Sequence, residues 1–106
     1  MIITLDYEKL GLHIKELRIH RKLTQENIAQ MVDCNVSHIS NIENNHTKVS
    51  LTILFSIANA LDVTIDYLLA EQYQNSAMAL DNAIMKSLEN CTNEKKERIL
   101  KMIEIM

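Results

Sequence analysis

The sequence predicts an all-α chain: five short helices forming one small domain, then two amphipathic helices. Three observations carry this. Apolar residues recur at three- and four-residue spacings, as in Leu10, Ile14 and Leu17 or Leu80, Ile84 and Leu88. A residue suited to cap a helix N-terminus precedes six of the seven runs: Asp6, Thr24, Asn35, Ser50, Thr64 and, near the end, Thr92 or Asn93. Proline is absent, and the one glycine, Gly11, lies inside a helical pattern. Met1 to Leu5, MIITL, is the β-like exception. It reads as a disordered arm, or as a short strand that pairs across a dimer.

Asp6 opens a first helix from about Tyr7 to Arg21, with Leu10, Ile14 and Leu17 on one face. Gly11 in its interior costs about 1 kcal/mol against Ala, which suggests close helix contact there. Thr24 opens a second helix that stops near Val32, with Ile28, Ala29 and Val32 apolar. Its capping box is expected to be partial, because Asn27 stands where Glu or Gln is usual. Asp33 sits where the chain must turn, and Asp tolerates the left-handed region. Asn35 then caps a third helix, Val36 to Asn44, with Ile39 and Ile42 inward and Cys34 beneath the turn. Val36, Ser37, His38, Ser40 and Asn41 are left outside. Two short helices joined by a tight turn, the second presenting small polar side chains, suit a reader of the DNA major groove.

Residues 44–49 form a polar loop. Ser50 opens a fourth helix in which Leu51, Leu54, Phe55, Ile57, Ala58 and Leu61 cover more than a narrow stripe, so it is expected to be largely buried, Phe55 included. Asp62 ends it. Thr64 caps a fifth helix with Ile65, Leu68 and Leu69 inward. Residues 71–76, EQYQNS, read as a linker. Two amphipathic helices follow, one with Ala77, Leu80, Ile84 and Leu88, the other with Ile99, Met102, Ile103 and Met106. The expected organisation is a domain over 1–70 and a helical extension over 71–106.

At 106 residues the chain is one domain, or one domain with an appendage. A net charge of −3 argues against indiscriminate nucleic-acid binding, though the local field decides specific binding. No signal peptide and no membrane span are expected, and the cytoplasm is the expected location. Cys34 and Cys91 lie far apart without a CxxC pair, so reduced thiols are expected, not a disulfide or zinc. His13, His20, His38 and His46 form no metal constellation, and His13 and His20 are expected to be solvated. With no catalytic spacing and no Gly-rich phosphate loop, neither an enzyme nor a cofactor is expected.

The segment from Thr24 to Glu43 resembles the helix-turn-helix of the phage repressor and Cro type, the Xre family. Thr24-Gln25, Ile28-Ala29, Asp33-Cys34-Asn35, Ile39-Ser40, Ile42-Glu43, Ser50-Leu51, Ile57-Ala58 and Leu61 carry the resemblance, which covers roughly residues 7 to 70. That family usually has Gly at the positions of Asp33, Asn45 and Asp62. Asp and Asn both reach positive φ, so the fold is expected to survive.

The resemblance implies a phage-repressor-like domain that binds double-stranded DNA. It implies that Val36, Ser37 and Asn41 contact bases, and that Gln25 grips a phosphate at the start of helix 2. His38 and Ser40 are assigned to the backbone, and Asn44 and Lys48 in the following loop to phosphates. It pairs Arg18 with Glu43, which suits a buried carboxylate and a bidentate guanidinium. The expected function is a transcriptional regulator, a repressor acting as a homodimer through residues 77–106. The alternatives are a protein-interaction or antitoxin-like module on the same fold, favoured by the acidic balance, and a ligand-gated sensor, for which the extension leaves little room.

Overall fold

The computed structural model describes residues 4–73 and 76–106. They form α1 (Tyr7–His20), α2 (Gln25–Met31), α3 (Val36–Glu43), α4 (Leu51–Leu61), α5 (Ile65–Leu69), a 3-10 turn (Ala70–Gln72), α6 (Ser76–Leu88) and α7 (Asn93–Ile105), with no strand among the described residues. The chain is all-α. The expected arm falls partly on residues 1–3, outside the described residues.

The N-termini follow from side-chain caps. Asp6, Thr24, Asn35, Ser50, Thr64 and Thr92 each accept an orphan amide of the first turn that follows. The α2 box is complete, not partial. Thr24 Oγ1 accepts the Asn27 amide at 3.0 Å, and Asn27 Oδ1 accepts the Thr24 amide at 2.8 Å. A shorter side chain than Glu therefore closes the same ring.

Helix C-termini share a second device. Lys22, Asp33, Asn45 and Asp62 all lie near φ 60° or just below, in the left-handed region. At each, that residue donates to the carbonyl three back and the next residue donates to the carbonyl five back. Both are bonds of the Schellman motif, and they satisfy carbonyls the helix leaves open. α1 stops at His20 and α3 at Glu43, with Arg21 and Asn44 as their C-caps.

One core fills the unit Met1–Gln72. Leu10, Ile14 and Leu17 of α1 meet Ile28 and Ala29 of α2, Ile39 and Ile42 of α3, Leu54, Ile57, Ala58 and Leu61 of α4, and Tyr67 and Leu68 of α5. At roughly 25 cal/mol per Å² of apolar area removed from water, this burial is the main force holding five short helices together. Ile65 and Leu69 are half-buried at its edge, and so is Cys34. Burial, and then the neighbouring Asp33 carboxylate, push the Cys34 thiol pKa up.

Three sequence expectations fail here, and one core residue was missed. Leu51 and Phe55 are 72% and 59% exposed, so α4 buries one face only. Phe55 instead walls a surface hollow of about 280 Å³ with Ala58, Asn59, Val63 and Ile65. His13 is not solvated: its Nδ1 lies 3.0 Å from the Leu68 carbonyl and its ring leans on Tyr67 at 5.3 Å. Tyr67 itself is buried, a core residue the spacing did not reveal. Residues 71 and 72 are not linker. Gln72 Oε1 accepts the Asp6 amide at 2.8 Å while its Nε2 donates to the Asp6 carbonyl at 3.0 Å.

Tyr73–Met106 forms a second compact unit. Leu80 and Ile84 of α6 are exposed, and so are Leu100, Met102, Ile103 and Ile105 of α7. No α7 residue is buried. Ala77 falls among residues whose side chains are not described. No single helix among the described residues is long and apolar enough to cross a membrane.

Candidate nucleic-acid interface

α3 is two-faced. Ile39 and Ile42 are buried, and the opposite face shows Val36, Ser37 and Asn41 to solvent, with His38 and Ser40 half-buried beside them. Asn35 starts the helix: its Oδ1 accepts the His38 amide at 2.9 Å and the Ser37 hydroxyl at 2.8 Å. At the far end Asn44 Nδ2 donates to Ser40 Oγ at 3.2 Å.

Behind α3 a buried ion pair fixes its position. Arg18 Nε donates to Glu43 Oε2 at 2.7 Å and the second guanidinium nitrogen, Nη2, donates to Oε1 at 3.0 Å. Side-chain exposure is 10% for Arg18 and 0% for Glu43. Arg18 Nη1 also donates to the Leu23 carbonyl at 2.9 Å. A carboxylate so deeply buried is tolerable only when charge and lone pairs are both met, and the fork geometry meets them. Gln25 completes the set, its Nε2 donating to Glu43 Oε1 at 3.0 Å. Glu43 therefore joins α1, α2 and α3. The tie to Gln25 was not visible in the sequence, since the two residues meet only across the turn.

Gly11 brings α1 and α3 closer than any side chain allows. A Cβ there would collide with the Ile42 carbonyl oxygen and lie 3.0 Å from that of Glu43. Lys48, beyond α3, sits over the Tyr7 ring at 5.6 Å from its centroid. That contact parks its ammonium at the start of α1. Arg21 Nε donates to the Leu61 carbonyl and so joins α1 to the end of α4.

Charge is unevenly spread. Residues 1–72 hold six Lys and Arg against nine Asp and Glu, which accounts for the whole net charge of −3. Yet between Cys34 and Leu61 the only acid is Glu43, which is buried and paired. The exposed face of α3 therefore carries no carboxylate to repel phosphate. Glu26, beside Gln25, is exposed and does.

Gln25 thus reaches α3 through Glu43, and Val36, Ser37, His38, Ser40 and Asn41 share the helix itself. Asn44 touches that face through Ser40. Lys48 is held elsewhere, against Tyr7. The arrangement offers hydrogen-bonding side chains of short reach on a helix held from behind by the Arg18–Glu43 pair.

Two short helices, a left-handed turn and a second helix clamped from behind define a helix-turn-helix protein. A profile of the helix-turn-helix family matches residues 14–68, and the chain belongs to that family, in its Xre-like branch. Members of this family bind DNA, and the chain is a helix-turn-helix transcription regulator.

Solved structures agree. The restriction-modification controller protein C.AhdI from Aeromonas hydrophila is 31% identical, covering 61% of this chain and 98% of its own, with a TM-score of 0.58. The clp gene regulator ClgR from Corynebacterium glutamicum is 25% identical over 83% of this chain and 95% of its own, with a TM-score of 0.62. A chain from the SinR protein/SinI protein complex shares the fold at 23% identity, covering 90% of this chain and 94% of its own, with a TM-score of 0.55. A search by sequence among curated proteins found no significant match.

Proposed function

We propose that the chain is a sequence-specific repressor that binds double-stranded DNA as a homodimer in the cytoplasm. Val36, Ser37 and Asn41 face base edges in the major groove: Val36 against a thymine methyl, Asn41 against adenine. Gln25, His38, Ser40 and Asn44 bond the phosphate backbone, and Lys48 follows once it leaves the Tyr7 ring. Arg18 and Glu43 make no contact with DNA. They hold the reading helix.

The observation that carries this reading is the exposed, carboxylate-free face of α3, backed by the buried three-helix junction at Glu43. The exposed apolar side chains of α6 and α7 support dimerisation through residues 77–106, because a lone chain would leave them in water. A two-fold dimer places two copies of α3 about one helical turn, or about 34 Å, apart along the duplex. Bound there, it represses by covering a promoter.

The second reading is an interaction module that keeps the fold and engages a protein. The acidic surplus of residues 1–72 and the exposed Glu26 favour it. Selection from a randomised duplex pool with the full chain separates the two. Enrichment of a two-fold symmetric site, bound ever more weakly as salt rises, supports the repressor. No enrichment at low salt rules it out in favour of the module.

A further inference from the structure

Resting on the reading of α3 above, the geometry around Asn35 bears on which bases are chosen. Asn35 Oδ1 accepts the His38 amide at 2.9 Å, which identifies it as the carbonyl oxygen of that side chain. The same oxygen lies 2.8 Å from Ser37 Oγ. An amide oxygen has no proton to give, and two oxygens this close need one between them, so the hydroxyl donates. Ser37 has a single hydroxyl proton. Once it is given to Asn35, only lone pairs are left to face outward.

We infer that Ser37 reads the major groove as an acceptor alone and so selects an exocyclic amino group. On the strand it faces, that means adenine N6 or cytosine N4. Guanine and thymine present oxygen acceptors at the corresponding edge and leave the Ser37 oxygen unpaired. Every base pair carries one such amino group in this groove, so the choice is one of strand: adenine and cytosine are accepted alike, guanine and thymine are refused. Asn35 is the positioning residue. Its cap both starts the helix and sets the polarity of its neighbour.

The test measures affinity of the full chain for its selected duplex site, with each of the four bases placed in turn at every position of a half-site. At one position the wild type is expected to bind A and C alike, about fivefold better than G and T, the worth of one ordinary hydrogen bond. Ser37→Ala flattens that position and no other. Asn35→Gly, a substitution that caps nearly as well, frees the hydroxyl to donate and brings G and T to within about twofold of A and C. Asn35→Asp keeps the acceptor: the A and C preference stays while every site weakens, because a carboxylate then approaches phosphate. Thermal melts of each variant show that the fold is retained.

The inference is overturned if Ser37→Ala changes no position, if the flattened position prefers G or T, or if Asn35→Gly keeps the full preference. A pool that yields no site at all defeats the reading of α3, and this inference with it. A site whose pattern ignores Ser37 defeats the inference alone.

Discussion

Gly11 sets how far α3 can settle onto α1. Replacing a helix-interior glycine by alanine ordinarily stabilises by about 1 kcal/mol. Here the added methyl meets the backbone carbonyls of Ile42 and Glu43, which cannot swing aside as a side chain would. Gly11→Ala is therefore expected to destabilise by about 1–3 kcal/mol in urea denaturation and to weaken specific DNA binding as α3 is displaced. A more stable variant would contradict the close approach. That this glycine marks a contact was legible from its cost inside a helical pattern. So were the left-handed positions of Asp33 and Asn45, because short polar side chains suit them. Lys22, at φ 60°, was not legible: nothing in a lysine side chain favours that conformation, and the bonds that hold it come from carbonyls of α1. The Gln25–Glu43 and Asn35–Ser37 bonds were equally hidden, since spacing along the chain does not give the rotamers that create them.

At the scale of the element, α4 shows what periodicity leaves open. Leu51 and Phe55 stand four apart and form a stripe of their own, beside the stripe of Leu54, Ile57, Ala58 and Leu61. A pattern reports that a face is apolar, not whether anything covers it. In this unit α4 spends its second stripe on the core, and the first stays in water. Stability should divide accordingly. Ile57→Ala, at a position with 0% exposure, is expected to cost about 2–5 kcal/mol. Phe55→Ala is expected to cost clearly less, because more than half of the residue stays in water on folding. Urea midpoints of the two variants check this, and equal losses would show that Phe55 is buried in solution. The boundaries of α1 to α5 and α7 were read to within a residue or two because the start of each has a side-chain cap whose chemistry is local.

At the scale of the whole molecule, the chain divides after Gln72 into a unit with a closed core and a unit of exposed amphipathic helices. The first unit carries the net charge of −3, and the second is balanced, with five basic and five acidic residues. A chain ended at Gln72 keeps every cap and core residue of α1 to α5, as well as the Gln72 bonds to Asp6. It is expected to stay folded by circular dichroism and to sediment as a monomer, while the full chain sediments as a dimer. A dimeric short form would move the pairing surface into the first unit. In the proposed function the outward face of α3 reads base edges while Gln25 holds the backbone. The direct test is the affinity of Asn41→Ala and Gln25→Ala for the selected duplex and for an unrelated one. Asn41→Ala should lose about 1–3 kcal/mol on the selected duplex alone, so that preference collapses, whereas Gln25→Ala should weaken both duplexes alike. If Asn41→Ala weakens both duplexes equally, or neither, α3 is not the reading helix.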